Sequence, residues 1–302
     1  MIAPTTTGKA PSLVRVPAST SADDVLSILQ RDGGLIVEKL GDPVVIDQAW
    51  REIQPEINND TFDHTGVTFA KESKRVCGLA GKSPTFATKL LTNPLYQEVA
   101  NKLLGKTTTV WYGKEETTST SLPQVTNTMA FWLGPGSQAQ GLHRDDQCHH
   151  TRHPAKYETD LGIMFAGTPS RKINGATNVV PGSHLWDDER KPTMEEACPA
   201  ELEKGDALIW LGSTYHGAGH NSTSDQYRLL LAGFMTPGWC RQDENQYLAI
   251  PLETIKSYPD NVQKLLGYQI SRPYGGFVEQ MEPIDFLKAN GDYTKWVPGD
   301  LI

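Results

Sequence analysis

The first hundred residues place apolar side chains three and four positions apart, which is the spacing of amphipathic helices. Ser21, with an acidic residue three positions later, is typical of a helix N-terminus, and this helix is expected to end at Gly33. Asp42, followed by proline, predicts the start of a second helix, and a third is expected over residues 95–104. The apolar run 35–37 predicts a short buried strand. The N-terminal third is therefore predicted to be a helix-rich layer.

From Thr107 onward the pattern changes to short runs of β-branched and aromatic residues separated by Gly, Pro and Ser. Many short strands bounded by turns are typical of a sandwich or a barrel. A helical spacing returns over residues 251–268. The expected fold is mostly β with flanking helices, around a double-stranded β-helix core of the cupin-like jelly-roll type. Strands are predicted at residues 107–112, 125–133, 161–165, 177–180, 207–211 and 228–235.

A chain of 302 residues is long enough to bury a large core, and it contains no linker-like stretch and no internal repeat. We therefore predict one domain over residues 21–302, preceded by a flexible tail at residues 1–20, which are rich in Thr, Pro and Ser. Within the domain, the helix-rich layer is assigned to 21–106, the jelly-roll core to 107–240, and a C-terminal helix and tail to 241–302.

The net charge is −8, and Lys and Arg are scattered along the chain. Because nucleic-acid binding needs clustered positive charge, this balance argues against a nucleic-acid partner. No apolar run approaches the roughly 20 residues of a membrane span, so no membrane association is expected. The cysteines lack the Cys-x-x-Cys spacing of structural zinc sites, which favours a reduced, cytoplasmic protein. They are Cys77, Cys148, Cys198 and Cys240.

The most informative chemical pattern is the pair His143 and Asp145, which is followed downstream by His216 and Arg228. On an extended segment, residues i and i+2 point to the same side, so this pair can reach one metal ion while Arg144 faces away. His216, from a strand adjacent in space, would complete a set of two imidazoles and one carboxylate. That set suits non-haem Fe(II) and leaves three positions, enough for a bidentate 2-oxo acid and O2. Arg228, further along the expected hairpin, matches a carboxylate bidentately.

His220 is the alternative to His216 as the third ligand. The alternation of Leu208 and Trp210 favours a strand that leads into His216. His149 and His153 have the i, i+4 spacing of zinc-binding helices, but no Glu lies at the required position between them. Residues 146–158, which also include His150, are instead expected to form a mobile loop that covers the site. Met129 and Phe131 share one side of a predicted strand and could line the substrate pocket, although core packing is the expected role of both.

Six short runs, in this order, resemble the phytanoyl-CoA dioxygenase-like family of Fe(II)/2-oxoglutarate oxygenases. The resemblance is greatest to the fungal branch that tailors alkaloids, meroterpenoids and polyketides, and it covers residues 21–267. It implies the jelly-roll fold, and it implies Fe(II) bound by His143, Asp145 and His216, with 2-oxoglutarate and O2 as cosubstrates. The matching runs are 140–145, 174–177, 181–184, 205–209, 216–219 and 228–230.

The resemblance also implies residues that bind the cosubstrate. Arg228 would bind the distal carboxylate of 2-oxoglutarate, and Gln140 and Thr177 match hydrogen-bonding residues for the same molecule. Arg75 lies where relatives place a residue close to the cosubstrate or the substrate. A solvated basic turn is the other interpretation of Arg75.

The expected activity is oxidation of a mid-sized, apolar natural product by ferryl hydrogen abstraction, with hydroxylation, desaturation or rearrangement as the outcome. Halogenation is disfavoured, because a halide would need the position of Asp145. Two alternatives are an acyl-CoA hydroxylase of the same fold and an inactive jelly-roll binding protein. The acidic balance and the absence of a C-terminal Ser-Lys-Leu argue against the first. A homodimer is implied by the resemblance alone.

Overall fold

A seven-stranded sheet forms the centre of the fold, with strand order β1-β2-β10-β7-β12-β6-β3. The structure is a computed structural model that describes residues 11–59 and 72–290. The ends of the predicted N-terminal and C-terminal tails, residues 1–10 and 291–302, lie outside these ranges. The strands are β1 (Val14–Pro17), β2 (Gly34–Glu38), β3 (Ser73–Cys77), β4 (Lys106–Tyr112), β5 (Glu115–Ser121), β6 (Pro123–Leu133), β7 (Leu161–Ala166), β8 (Asn178–Val179), β9 (Cys198–Pro199), β10 (Ala207–Leu211), β11 (His216–Gly217) and β12 (Arg228–Pro237).

Helices cover one face of this sheet. A π-helical turn spans Phe86–Leu90, and 3-10 turns span Asp145–His149, Ser183–Leu185 and Met194–Glu196. The α-helices of the described residues are α1 (Ala22–Asp32), α2 (Pro43–Asn58), α3 (Leu79–Lys82), α4 (Pro94–Leu104), α5 (Gln246–Ala249), α6 (Leu252–Ser257), α7 (Asp260–Leu265) and α8 (Pro283–Ala289).

The predicted helix boundaries are confirmed where capping residues signal them. The Ser21 hydroxyl accepts a 3.2 Å hydrogen bond from the backbone N–H of Asp24, and Gly33 ends α1 with φ of 80°. A side chain at Gly33 would be strained in this left-handed conformation. Asp42 caps α2 by accepting a 2.8 Å hydrogen bond from the backbone of Val44. These two helices therefore begin where their polar caps satisfy the first backbone N–H groups.

Strand alternation divides the sheet into a helix face and a cavity face. On β10, Ile209 packs into the large core under the helices, whereas its neighbours Leu208 and Trp210 belong to a smaller cluster on the opposite face. Leu230 of β12 joins this smaller cluster, whereas Leu231 packs toward the helices. This two-residue period is what a strand with both faces covered requires. The cavity face carries the candidate site.

A second, three-stranded sheet, with the order β11-β8-β9, supplies the other wall of the cavity. Apart from the parallel pair β1–β2, the strands pair antiparallel. β4 and β5 form a separate two-stranded ribbon. The predicted fold class is confirmed: the chain is mostly β, with flanking helices and a jelly-roll core.

Three local predictions are wrong. Val14–Pro17, expected in a flexible tail, form β1, because alternate residues of this short segment are half-buried beside β2. The helix expected at 251–268 is two helices, α6 and α7, because Pro259 lacks the N–H needed to continue the first. His216 and Arg228 do not share a hairpin: His216 lies on β11 of the small sheet and Arg228 on β12 of the large one.

Candidate active site

His143 and His216 are joined through their backbones. The N–H of each donates a 2.9 Å hydrogen bond to the carbonyl oxygen of the other, which forms an isolated antiparallel bridge. Directly opposed residues of such a pair project their side chains to the same side. The two imidazole rings accordingly lie 4.6 Å apart, centroid to centroid.

The Nδ1 atoms of both rings are engaged by backbone carbonyl groups. Nδ1 of His143 lies 2.9 Å from the oxygen of Gly141, and Nδ1 of His216 lies 3.1 Å from that of Thr214. A carbonyl accepts a hydrogen bond, so the proton of each neutral ring resides on Nδ1. In their neutral forms both rings therefore present the lone pair of Nε2 to the cavity, whereas protonated His143 would donate from Nε2 to Asp145.

Asp145 completes a compact set of three donor groups. Its Oδ1 lies 3.5 Å from Nε2 of His143, and its Oδ2 lies 3.3 Å from Nε2 of His216. Ligands bound about 2.1 Å from one ion are separated by about 3 Å when they share a face. These three side chains could therefore hold a first-row metal ion with little rearrangement. The predicted third ligand, His216, is in the group.

At Asp145 and His216 the pKa shifts favour the protonation state that can bind a cation. Burial raises the pKa of Asp145, but attraction to His216 and His143 in their protonated forms, together with the hydrogen bond from His143, outweighs it, and the pKa is lowered overall. Burial lowers the pKa of His216, despite the opposing charge of Asp145. At neutral pH the carboxylate is therefore ionised and this imidazole is neutral. Burial alone would lower the pKa of His143, but the hydrogen bond to Asp145 and the negative charge of that carboxylate outweigh burial and raise the pKa of the ring.

Arg144 points away from this group, as its position between the two predicted ligands requires. Its side chain is buried, it donates hydrogen bonds to the carbonyl oxygens of Ser183 and Trp186, and it stacks over the ring of Tyr215. These contacts fix the segment that carries His143 and Asp145.

Trp210 supports Asp145 from behind. Its indole Nε1 donates a 3.0 Å hydrogen bond to Oδ2 of the carboxylate, and the ring is fully buried. Gly162 makes room for the indole, because a Cβ at that position would lie 2.3 Å from the ring. This contact is not predictable from the sequence, where Trp210 is only one of the apolar residues of a strand pattern.

A cavity opens in front of the three donors, and its wall is mainly apolar. Met129 and Phe131 both line this cavity, as the alternative interpretation had it, because the face of β6 opposite the helices borders it. Phe131 also packs against the smaller hydrophobic cluster. Asn127 lies on the same face, and its Oδ1 is buried without a hydrogen-bond partner among the described residues. The larger apolar side chains of the lining are Met129, Phe131, Leu133, Met164, Leu230 and Phe234.

Arg228 lies deep in the cavity wall with 1% exposure, and burial lowers the pKa of its guanidinium to about 9. Nη1 donates a 3.3 Å hydrogen bond to Oγ1 of Thr177, and Nε has no partner. Among the described residues, no acidic side chain lies within ion-pair distance of Arg228. Burying a cation without a neighbouring anion costs free energy, so an anionic ligand would stabilise this guanidinium.

Thr177 and Gln140 both line the cavity, as predicted for neighbours of a bound cosubstrate. Oε1 of Gln140 lies 3.4 Å from the backbone N of Ala218, which orients the amide. Arg75 lies on β3 opposite Phe131, two residues along the strand from Ser73, which lines the cavity. Its side chain therefore leaves the strand on the cavity side, although Arg75 is not part of the wall.

The other histidines stand apart from the three donors. Nδ1 of His220 lies 2.9 Å from the carbonyl oxygen of Ser137, and the ring does not join the donor group. His153 bridges two carboxylates, with Nε2 2.9 Å from Asp146 and Nδ1 2.6 Å from Asp188. These two contacts of His153 hold residues 146–158, the segment predicted as a mobile loop, in place. The segment starts within a 3-10 turn that spans Asp145–His149.

A jelly-roll fold with two histidines and one carboxylate at the mouth of a cavity defines the class of non-haem, metal-dependent oxygenases. The model of the family named phytanoyl-CoA dioxygenase (PhyH) matches residues 29–229. The chain belongs to this family, and it is an Fe(II)- and 2-oxoglutarate-dependent dioxygenase. No helix within the described ranges is long and apolar enough to cross a membrane.

Curated fungal relatives match along nearly their whole length. Dioxygenase swnH1 of Metarhizium robertsii is 37% identical over 287 residues, covering 91% of this chain and 92% of the relative. Dioxygenase peniF of Penicillium patulum is 36% identical over 284 residues, covering 91% and 92%. These matches confirm the family resemblance of the sequence.

Solved structures with the same fold are more distant. The non-heme α-ketoglutarate-dependent epimerase SnoN from nogalamycin biosynthesis superposes with a TM-score of 0.55 at 20% identity, covering 71% of this chain and 82% of that one. HygX from Streptomyces hygroscopicus, solved with nickel and 2-oxoglutarate bound, has a TM-score of 0.52 at 15% identity, covering 72% and 88%. At these identities the comparison shows the fold alone.

Proposed function

We propose that His143, Asp145 and His216 hold the iron of this dioxygenase, and that Arg228 binds the distal carboxylate of 2-oxoglutarate. The observation that carries the proposal is the fully buried guanidinium, which faces the cavity of the three donors and has no acidic partner within residues 11–59 and 72–290. Fe(II) with bound 2-oxo acid and O2 supplies the oxidising power for hydrogen abstraction from a C–H bond.

The protein's own contribution is to position and seclude the reactants. Arg228 presents a planar fork that matches a carboxylate, and Thr177 holds one arm of that fork through its hydroxyl. Gln140 offers an amide on the same wall. Arg75 leaves β3 on the side that faces the cavity. With its distal carboxylate held by Arg228, a 2-oxo acid would have its keto-acid end free to bind a metal held by His143, Asp145 and His216.

The substrate is a mid-sized, apolar natural product that carries at least one hydrogen-bond donor. The aromatic and aliphatic side chains of the lining favour an apolar body, since they lose less on desolvation than polar groups do. The buried Oδ1 of Asn127 lacks a donor and would accept one from a hydroxyl or N–H of the substrate. Hydroxylation, desaturation and rearrangement all follow from the same hydrogen abstraction.

An anaerobic titration tests the assignment of iron and 2-oxoglutarate. Addition of both should produce a metal-to-ligand charge-transfer absorption, and neither one alone should produce it. The His143→Ala and His216→Ala variants should lack this absorption at the same concentrations. Its full retention in both variants would exclude the proposed ligands. Candidate natural products can then be ranked by how much each stimulates succinate formation by the wild type.

The enzyme is proposed to form a homodimer in a reducing compartment such as the cytoplasm. Support for a dimer comes from the β4–β5 ribbon, where Val110, Trp111 and Tyr112 are adjacent and exposed. The absence of disulfides among the cysteines fits the compartment. Light scattering of Trp111→Ser tests the dimer, with Trp239→Ser, another exposed tryptophan, as the control. A dimer unaffected by Trp111→Ser would exclude this surface, and a monomeric wild type would exclude the dimer.

A further inference from the structure

A second group of metal-binding side chains lies one short turn beyond Asp145. Cys148 and His149 end the 3-10 turn that Asp145 begins, and Asp243 approaches them from the segment after β12. Sγ of Cys148 lies 3.0 Å from Oδ1 of Asp243, and Nε2 of His149 lies 3.7 Å from the same oxygen. The three ligand atoms all lie within 4.8 Å of one another, and the group shares no residue with the three donors described above.

His149 is the feature that distinguishes this group from an ordinary polar cluster. Its side chain is 8% exposed, yet neither Nδ1 nor Nε2 has a hydrogen-bond partner in the part of the chain that the structure describes. Buried imidazoles are normally hydrogen-bonded, because an unsatisfied ring nitrogen loses its interaction with water. Asp243, toward which Nε2 is directed, is itself fixed by a 2.8 Å hydrogen bond from its backbone N–H to the hydroxyl of Thr126. Nε2 of His149 is therefore held toward the carboxylate of Asp243 without a hydrogen bond to it, and an atom bound between the two would satisfy this nitrogen.

We propose that Cys148, His149 and Asp243 form a second metal site, which takes a thiophilic divalent cation such as Zn²⁺. A tetrahedral zinc ion with bonds of about 2.0–2.3 Å separates its ligands by roughly 3.3–3.7 Å, close to the spacings of this group. The fourth position would be open to water or to a substrate group. Thiolate and imidazole select zinc over the harder cations, whereas the all-nitrogen-and-oxygen set of the first site suits iron.

The surroundings of Cys148 allow a metal ion to enter the site and the thiol proton to leave it. Cys148 is exposed, so a cation can reach its sulfur from solvent. In the metal-free protein the thiol donates its hydrogen to Asp243. Binding replaces that S–H bond by a sulfur–metal bond and releases the proton to solvent, with no change in oxidation state.

The position of Asp243 connects the second site to the reaction cavity. This carboxylate lines the cavity, and Sγ of Cys148 lies 3.5 Å from the backbone oxygen of Asp145. A cation bound by Asp243 would neutralise a negative charge at the cavity wall. It would also clamp the turn that carries one proposed iron ligand. Occupancy of the second site should therefore alter substrate affinity more than affinity for 2-oxoglutarate.

Cobalt(II) tests the site, because a thiolate ligand gives it a charge-transfer absorption in the near ultraviolet that nitrogen and oxygen ligands do not give. The full-length wild-type protein and the His143→Ala variant should both show this band on titration with Co²⁺. Cys148→Ser should lack it and bind Co²⁺ at this site roughly 100-fold more weakly, since loss of even a supporting partner of a ligand costs on the order of 10–100-fold. Cys77→Ser, at another exposed cysteine, is the matched control and should keep the band.

Three results would overturn the proposal: no thiolate band in the wild type, a band that persists in Cys148→Ser, or a band lost in Cys77→Ser. One equivalent of Zn²⁺ should remove the cobalt band in His143→Ala, in which the first site is disabled. His149→Ala, checked for folding by circular dichroism, should weaken cobalt binding as Cys148→Ser does. Because His143→Ala keeps the second site, failure here is distinguishable from failure of the proposed iron site.

Discussion

The indole N–H of Trp210 donates a 3.0 Å hydrogen bond to Oδ2 of Asp145, the carboxylate that lies between the two histidines of the proposed iron site. The hydrogen bond fixes the carboxylate in the orientation in which its oxygens approach both Nε2 atoms. Partners of this kind orient metal ligands and tune how strongly they bind. Trp210 is therefore a positioning residue in the proposed site.

Trp210→Phe removes this hydrogen bond while keeping an aromatic ring in the buried position. We expect Fe(II) affinity to fall by about 10–100-fold, with the Michaelis constant for 2-oxoglutarate at saturating iron much less affected. Equilibrium iron binding under anaerobic conditions measures the first, and succinate formation measures the second. Unchanged iron affinity in a folded Trp210→Phe protein would show that Asp145 needs no support from the indole.

His216 and His220 can be separated by paired substitution. His216→Ala should abolish turnover and iron binding, because it removes one of three donor atoms. His220→Ala should retain both, because its ring contacts the carbonyl oxygen of Ser137 instead of the donor group. The reverse pattern, with activity lost in His220→Ala and kept in His216→Ala, would contradict the assignment of the third ligand.

Much of the fold was predictable because its signals are local. Helix caps such as Ser21 and the two-residue alternation of the long strands are written in neighbouring residues. Strand β1 was missed because four residues among Thr, Ser and Pro carry too short a pattern. The placement of His216 and Arg228 on different sheets was also missed, since sequence order does not reveal which strands pair across long connections.

The candidate site likewise contains residues that a local sequence pattern predicts and residues that it does not. The pair His143 and Asp145 was recognisable because the strand period places residues i and i+2 together. Trp210 and Asn127 were not, because a single residue in an apolar strand looks the same whether it packs, supports a ligand or faces a cavity. Only the folded arrangement shows that the indole reaches Asp145 and that the Asn127 amide oxygen lacks a donor.

Glu158 should make stability fall as pH rises through the weakly acidic range. Burial raises the pKa of this carboxyl to about 7 from the ordinary 4.5, against the opposing hydrogen bond from Ser213. The folded state therefore binds the proton more tightly than the unfolded state. The contribution of this group is fully present below pH ~4.5 and is lost by pH ~7, on the order of 3 kcal/mol.

Glu158→Gln removes that titration and keeps a hydrogen-bonding side chain next to Ser213. The free energy of unfolding, measured by urea denaturation from pH 4.5 to 7.5, should decline less with pH in this variant than in the wild type. The control is Glu189→Gln, at an exposed carboxyl. Identical slopes for wild type and Glu158→Gln would show that the carboxyl titrates normally in the folded protein.

Asn127→Leu tests the polar contact proposed for the substrate. It replaces an amide by an apolar group of similar size in the cavity wall. With a substrate that carries a hydrogen-bond donor, we expect the Michaelis constant for the substrate to rise by about 10-fold, which corresponds to the loss of roughly 1.4 kcal/mol. The constant for 2-oxoglutarate should not change. An equal effect on both constants would point to a general disturbance of the cavity.

The central claim is that the buried guanidinium of Arg228 binds the distal carboxylate of 2-oxoglutarate. Its most direct test is the Michaelis constants for 2-oxoglutarate and for pyruvate, which lacks that carboxylate, in the wild type and in Arg228→Ala. Loss of a secluded charge pair costs on the order of 3–5 kcal/mol, so the constant for 2-oxoglutarate should rise roughly 100-fold or more. The advantage of 2-oxoglutarate over pyruvate should then largely disappear. An unchanged constant for 2-oxoglutarate in Arg228→Ala would contradict the claim.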